Sequence, residues 1–548
     1  MTAKPIVDGI AREGRFTTLA IRIDNLGPGT VGTVSLTERR EDGTSSVVFT
    51  RAVELPEGAR SELHLLLQPG IGEPDRLLEL VTRDARTAIA PFRLRPIAYD
   101  DVSIAVIGED PLGLPAILRT ATAEPVPGRV HRPHAEGGRA VHTGIVPTAA
   151  MPLEPAGWGA VDWLVWPKID PSTVSVAQTE AVRAWVADGG HLLVTVTDTW
   201  RQLAESPLAA ALPVTPIGQQ DDDVGPLSAI LGHAPPPGPV PIAAATVRSG
   251  VVRAAAIDGA PLWVTAPYGL GSVHVLLVDP DGALALRGDE GAWRRLLTLP
   301  PEDGAAGDLL ATEPNPAALH RILNLDAVEP WADYQSWESD AEHGWESKIR
   351  ERLSDIPGVA PLPMTWLVAF AVVYLVSIGP LDYAVLRLIG RQPWTWVTFP
   401  VLIVVFSGAS LAMTSYTKGS QAMVVRVELM DLLPDTGLAR GQTWLGVFST
   451  RKTSLTITGG FEQSVVSPLL VPGFQNDTRV RAGDGPGSLT YGAETWTLAY
   501  VRSDWTAPAP GRLDVRSDSD RWVVRNELGY DLDDLGLTLP DAGSGRVA

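Results

Sequence analysis

Two apolar runs constrain this chain more than any other feature. Residues 361–380 and 394–416 contain no Asp, Glu, Lys or Arg. A helix rises about 1.5 Å per residue, so roughly 20 residues cross a hydrocarbon layer of about 30 Å. Each run is long enough, and the short link between them predicts a two-helix transmembrane hairpin over 361–416. Trp366, Tyr383, Trp394, Trp396 and Tyr416 stand at the edges of the runs, where amphipathic rings favour the water–lipid boundary. Arg387 and Arg391 lie in the link, opposed by Asp382 alone. These aromatic and basic side chains are the expected membrane-interface residues, and the lipid bilayer is the first expected partner. A buried helical hairpin in a soluble protein is the competing reading.

The remaining sequence is too long for one core at 548 residues, so several domains are expected. Over 1–98, Leu19, Ile21 and Ile23 alternate with polar neighbours, as do Leu63, Leu65 and Leu67. That alternation puts them on one face of a strand. Asn25 to Gly29 reads as a turn, and 41–43 as a hairpin turn. Short strands at this spacing predict an immunoglobulin-like β-sandwich. Over 99–310 strands alternate with helices, as in a doubly wound α/β domain. The strands are 102–107, 161–166, 191–196 and a hairpin over 261–279; the helices include 175–187 and 289–299. Gly189 and Gly190 end the first of these helices, as a left-handed cap requires. Residues 311–360 read as a connector carrying Trp331, Trp337 and Trp345, with a helix over 340–353. Residues 417–548 return to short strands and predict a C-terminal β-sandwich-like domain.

Composition excludes several function classes. Asp and Glu number 64 against 44 Lys and Arg, a net charge of −20, which repels phosphate backbones and argues against nucleic acid as a partner. The chain has no cysteine. That removes a thiolate nucleophile, disulfides, iron–sulfur ligation and Cys-type zinc sites. No phosphate-binding P-loop and no His-Glu-x-x-His motif occurs, and no cofactor is expected.

Three stretches carry a family resemblance: AWVADGGHLLV at 184–194, YGLGSVHVLLVD at 268–279 and GPLDYAVLRLIGR at 379–391. They resemble a group of uncharacterised bacterial membrane proteins. These combine an immunoglobulin-like region, a class I glutamine amidotransferase-like domain, a membrane hairpin and a C-terminal β region. The resemblance implies that order of parts, a bacterial inner-membrane location and a secretory leader preceding the residues given. It does not imply amidotransferase activity, because that chemistry needs a cysteine activated by a histidine.

Other constellations are weaker. His131, His134 and His142 lie near Glu136, but Arg132 and Arg139 oppose a cation, so a solvated loop is the default. The Ser-x-x-Lys spacing of Ser415 and Lys418 lacks its companion motifs. Asp221 to Asp223 reads as a solvated acidic face. Asp198 and Asp279 stand near predicted strand ends, where open α/β sheets place ligands, and are the ligand-binding candidates.

The expected function is a membrane-anchored, non-enzymatic scaffold or binding protein with a membrane or envelope protein partner. An accessory transporter subunit, and a hydrolase or transferase with a non-cysteine site, are the alternatives. Topology rests on conflicting signs. The outer flanks carry Lys348, Arg350, Arg352, Lys418 and Arg426, against Arg387 and Arg391 in the link. Long domains translocate largely regardless of charge, which discounts the flanks. With the family resemblance, the expectation is soluble parts outside the cytoplasm and the Arg387–Arg391 link inside.

Overall fold

The computed structural model describes residues 1–12, 14–39, 46–70, 75–97, 101–109, 111–117, 141–297, 349, 352–354, 364–418, 422–433, 436–468, 478–483, 485–518, 521–532, 536–539 and 543–546. The turn expected at 41–43, the loop with His131, His134 and Glu136, and Trp331, Trp337 and Trp345 lie outside these residues. So does most of the helix expected over 340–353, of which Ile349, Arg352 and Leu353 are helical. The chain is a multidomain α/β plus β protein with two long apolar helices.

The N-terminal part is built from strands β1 (Thr2–Pro5), β2 (Ile10–Arg12), β3 (Thr17–Asp24), β4 (Thr30–Arg39), β5 (Ser46–Leu55), β6 (Arg60–Leu67), β7 (Asp75–Thr82), β8 (Thr87–Arg93) and β9 (Arg95–Ile97). Period-two alternation sets their faces. Leu19, Ile21 and Ile23 of β3 and Leu63, Leu65 and Leu67 of β6 point into one core, facing Val34, Leu36, Phe49, Leu78 and Leu80.

The second part is a mixed sheet. Its strands are β10 (Val102–Ile107), β11 (Val141–Val146), β12 (Trp163–Trp166), β13 (His191–Thr195), β16 (Val251–Ala255), β17 (Pro261–Tyr268) and β18 (Gly271–Leu276). Between β13 and β16 the chain forms a two-stranded ribbon, β14 (Val214–Asp223) with β15 (Pro239–Val247). Asp221 to Asp223, expected as a solvated acidic face, end β14. The sheet order is β11-β10-β12-β13-β18-β17-β16. The first five strands are parallel, and β17 runs antiparallel to both its neighbours, β18 and β16. Both faces are covered, which explains the near-continuous apolar runs of the central strands. Helix α1 (Val176–Ala187), with a Ser175–Gln178 capping box, packs Val182, Trp185 and Val186 against one face. Helix α2 (Glu290–Leu296), capped by Asp289, packs Trp293 and Leu296 against the other. His142, expected in a loop with the other histidines, instead lies in β11, its Nε2 2.8 Å from Asp101. It belongs to the edge of the sheet, not to a metal cluster.

The apolar hairpin comprises α3 (Met364–Val376), a π-helical turn (Ser377–Leu381), α4 (Asp382–Ile389) and α5 (Thr395–Lys418). The expectation ended the first run at Pro380. The structure carries the helix on to Ile389, because the wider π-turn absorbs the proline that would break an α-helix. Arg387 therefore sits in the last helical turn rather than in the link. Gly390, at φ +68°, closes that turn with Arg391: their N–H groups donate to the Arg387 and Leu386 carbonyls. Phe406 of α5 packs edge-on against Phe370 and Tyr374 of α3.

After the hairpin come β19 (Met423–Leu433), β20 (Leu438–Ser449), β21 (Thr453–Thr458), β22 (Gln463–Pro468), β23 (Thr478–Arg481), β24 (Ser488–Ala493) and β25 (Thr497–Pro508). Strand β25 starts just after Trp496, which turns at φ +60°. Strands β19, β20, β25 and β22 make one sheet. The other three cross to the N-terminal part. A seven-stranded sheet runs β21-β24-β23-β5-β4-β7-β8, with β23 parallel to β5 and Val480 beside Phe49. Val465, Val466, Val480, Leu489 and Val501 share one core with Leu19 and Leu65. Arg440 of β20 bonds Asp431 at 3.0 Å and also Asp188, the C-cap of α1, tying the C-terminal sheet to the mixed sheet. Just ahead of the hairpin, Leu353 packs with Trp444 and Tyr500, and Ser354 bonds the Tyr500 hydroxyl at 2.7 Å.

Two stability predictions follow from this packing. Gly189, not Gly190, takes the left-handed conformation, at φ +119°. Gly190 is needed because a Cβ there would lie 2.4 Å from the Trp185 ring. Gly190→Ala should destabilise by about 1–3 kcal/mol through overpacking, and Trp185→Leu should relieve part of that cost. Denaturant melts of the single and double variants measure the coupling. The second concerns His274 of β18, which burial and the charge of Arg253 push down to about 4. The unfolded chain then takes the proton first. Stability should be full above about pH 6.5 and fall towards pH 4 by on the order of 3 kcal/mol. His274→Gln should flatten that part of a stability–pH curve.

Candidate functional site

Numbered along the chain, the five parallel strands lie in the order 2-1-3-4-5, so the strand order reverses between β10 and β12. Open α/β sheets bind ligands at the carboxyl end of the strands beside such a reversal. The chain leaving β12 there is Pro167-Lys168-Ile169. Lys168 adopts φ +52°, in the left-handed region that side chains other than Gly, Asn and Asp seldom occupy. Neighbouring β13 over-determines this conformation. The Lys168 N–H donates to the Thr195 hydroxyl at 2.8 Å, and the Ile169 N–H to the Thr195 carbonyl. Thr199, just past β13, donates its hydroxyl to the Ile169 carbonyl.

The lysine side chain is 48% exposed and reaches along the strand ends towards Asp279, its ammonium 3.9 Å from Oδ2. Asp279 follows β18, and its Oδ1 accepts the Asp281 N–H at 3.0 Å. Asp281 in turn pairs with Arg287 at 2.7 Å. Asp198 follows β13, is exposed, and accepts the Thr197 hydroxyl at 2.9 Å. The two sequence-derived aspartates thus both stand at the carboxyl edge, after adjacent strands. The structure joins Asp279 to Lys168, while Asp198 is held by its own neighbour. Lys168, Asp198 and Asp279 put one cation and two carboxylates on an open edge. That suits binding of a polar ligand. Among the described residues no group of three or more His, Asp or Glu is placed to hold a metal.

Sequence reasoning missed Lys168. Its only signal was Trp-Pro-Lys at the end of a core strand, and a left-handed lysine leaves no mark in composition. The membrane-interface candidates are all on the hairpin. Trp366 opens α3, Tyr383 and Arg387 lie on α4, and Arg391 stacks its guanidinium 4.9 Å over Trp394. Trp396 is 89% exposed, and Tyr416 lies near the end of α5.

Comparison with known proteins adds little chemistry. The chain carries an N-terminal domain matching a family described as a domain of unknown function, DUF8726, over residues 1–86. No curated protein matches. Among solved structures the chain is similar to Cytoplasmic Protein STM1381 from Salmonella typhimurium LT2, at 14% identity and TM-score 0.26, covering 41% of this chain and 98% of that one. It is similar to Cytoplasmic Protein STM3548 from Salmonella typhimurium at 14% identity and TM-score 0.26, covering 36% and 98%. It is also similar to exo-β-1,4-mannosidase Op5Man5 from Opitutaceae bacterium strain TAV5, at 13% identity and TM-score 0.23. The chain spans 36% of the mannosidase. Similarities at this level assign no activity.

The lysine and its support should separate in a stability measurement. Lys168→Met removes a long, half-exposed ion pair and should change stability by under about 1 kcal/mol. Thr195→Val leaves the Lys168 N–H without its acceptor in a buried place and should cost about 1–3 kcal/mol. Equal losses in denaturant titrations would make Lys168 a stability residue instead.

Proposed function

We propose that this chain is a membrane-anchored, non-enzymatic scaffold or binding protein whose soluble parts sit together on one side of a bilayer. In this reading the α3–α5 hairpin is the anchor. The N-terminal strands form an immunoglobulin-like sandwich, and the mixed sheet is a glutamine amidotransferase-like domain whose thiol chemistry is absent. The C-terminal strands form a second sandwich-like part. The observation that carries the reading is the contrast between hairpin and body. Each candidate span, Met364–Ile389 and Gln392–Ala412, contains an 18-residue apolar stretch with mean hydropathy near 2 and no buried residue. An apolar surface of that size in water marks a membrane or a partner.

The shared sheet supports the anchor's geometry. Strand β5 precedes the hairpin and β23 follows it, yet they are hydrogen-bonded neighbours. A single crossing would put them on opposite sides of the bilayer, whereas two crossings leave them together. Arg387, Arg391 and Trp394 cluster at the hairpin tip, as interfacial anchors do. We place this tip in the cytoplasm of a bacterial cell and the soluble parts outside. The Lys168–Asp279 edge is then the ligand or partner face of the mixed sheet.

The absence of cysteine makes the topology directly measurable. Single cysteines at Glu57, Glu462 and Gln392 should behave as two classes in intact cells. A membrane-impermeant thiol reagent should label the first two and spare the third. The reverse pattern would turn the protein over, and labelling of all three without permeabilisation would remove the membrane hairpin.

A further inference from the structure

At the opposite end of the mixed sheet lies a polar cluster that the anchor reading does not use. Trp163, His191 and Ser272 are register neighbours on the parallel strands β12, β13 and β18, and His274 follows Ser272 on the same face of β18. The Ser272 hydroxyl is 2.7 Å from His191 Nδ1 and 2.8 Å from His274 Nε2. Trp163 holds both imidazoles from one side, with ring centroids 4.8 Å and 5.0 Å away. A hydroxyl has one proton to give, so one imidazole accepts it and the other donates to the oxygen. The environment chooses which. His274 Nδ1 is buried and has no hydrogen-bond partner among the described residues, so it is the bare nitrogen and Nε2 carries the proton. His274 therefore donates to Ser272, and Ser272 donates to His191 Nδ1.

From this geometry we infer that Ser272 is an activated hydroxyl, a site for covalent acylation by a carboxylic ester. A nucleophile within hydrogen-bond reach of a base, with that base held in place, is the arrangement acyl transfer requires. In the step, Ser272 Oγ bonds to the ester carbonyl carbon as its proton passes to His191 Nδ1. The carbon–alkoxide bond breaks, and the leaving alkoxide takes that proton as the free alcohol. The His274 Nε2–H holds Oγ in place through one lone pair and leaves another free for the attack. The rigid strand ladder fixes all three groups; the Ser272 N–H is itself tied to the Gly190 carbonyl at 3.2 Å. The inference goes beyond the scaffold reading and does not rest on membrane topology.

The test uses the full chain in detergent micelles, with a fluorophosphonate probe and p-nitrophenyl acetate as acyl donor. Peptide mass spectrometry should find one adduct, on Ser272. Ser272→Ala should abolish it, and His191→Gln should slow its formation at least tenfold. No adduct on Ser272, or labelling undiminished in Ser272→Ala, would overturn the inference. Should Ser272→Ala lose its fold, Ser272→Cys gives a second readout, because it supplies the chain's sole thiol. Iodoacetamide at pH 7 should alkylate it at least tenfold faster than a cysteine at exposed Thr456, and His191→Gln should erase that advantage. Equal alkylation rates would overturn the inference.

Discussion

The parallel pairing of β5 with β23 is the contact on which the rest of the structure depends. It joins Val47–Thr50 to Thr478–Arg481, segments separated by the whole mixed sheet and the whole hairpin. One face of this ladder is buried, and the other, with Arg479 and Arg481, is exposed. Here Phe49 and Val480 lie in one core with strands from both ends of the chain. Closing a loop that long costs conformational entropy that grows only logarithmically with length. A core shared between the two ends offsets it readily, but only after the intervening parts have formed. The N-terminal strands therefore have an open edge at β5 until the far end of the chain arrives, and an open edge invites wrong pairings.

A second constraint comes from the mixed sheet, against which the C-terminal sheet docks through Arg440. That side chain is buried and faces Asp431 and Asp188 together. Two carboxylates around one guanidinium satisfy its planar fork, and removal of either would leave buried charge poorly compensated. On the hairpin's N-terminal side, Leu353 packs with Trp444 of β20 and Tyr500 of β25, and Ser354 bonds the Tyr500 hydroxyl.

The parts of this architecture that were legible in the sequence are those written in local periodicity. Alternation at Leu19–Ile23 and Leu63–Leu67 marked strands that are buried on the expected face, and the apolar runs marked the helical hairpin. What stayed hidden depends on partners far away in the chain. Nothing in Thr478–Arg481 names Val47–Thr50 as its neighbour, because a strand's edge is set by which other strands arrive. Gly190 was legible as an obligatory glycine, yet for a different cause: the Trp185 ring occupies the space of its Cβ. Of the carboxyl edge, Asp198 and Asp279 were visible because acids beside apolar runs stand out. Lys168 was not, because its distinction is a backbone angle held by Thr195.

The hairpin carries one more physical demand. Asp382 is its only acid and is 8% exposed, whereas the apolar residues around it face outward. With Gly390 at the tip, Asp382 lies roughly 12 Å deeper along α4, at about 1.5 Å per residue. In the proposed membrane setting that depth is hydrocarbon, where a charged side chain costs about 2.5–3.5 kcal/mol on insertion scales. Turning the carboxyl away from the outward face keeps it from lipid. The π-turn makes that orientation attainable: an extra residue per turn over Ser377–Leu381 rotates everything after it relative to α3. Leu386, one turn on, is buried on the same side, while Leu388 and Ile389 face out. The turn that accommodates Pro380 thus also sets which face of α4 meets α5. Proline and acid are therefore parts of one local solution, and straightening the π-turn would swing the acid towards lipid.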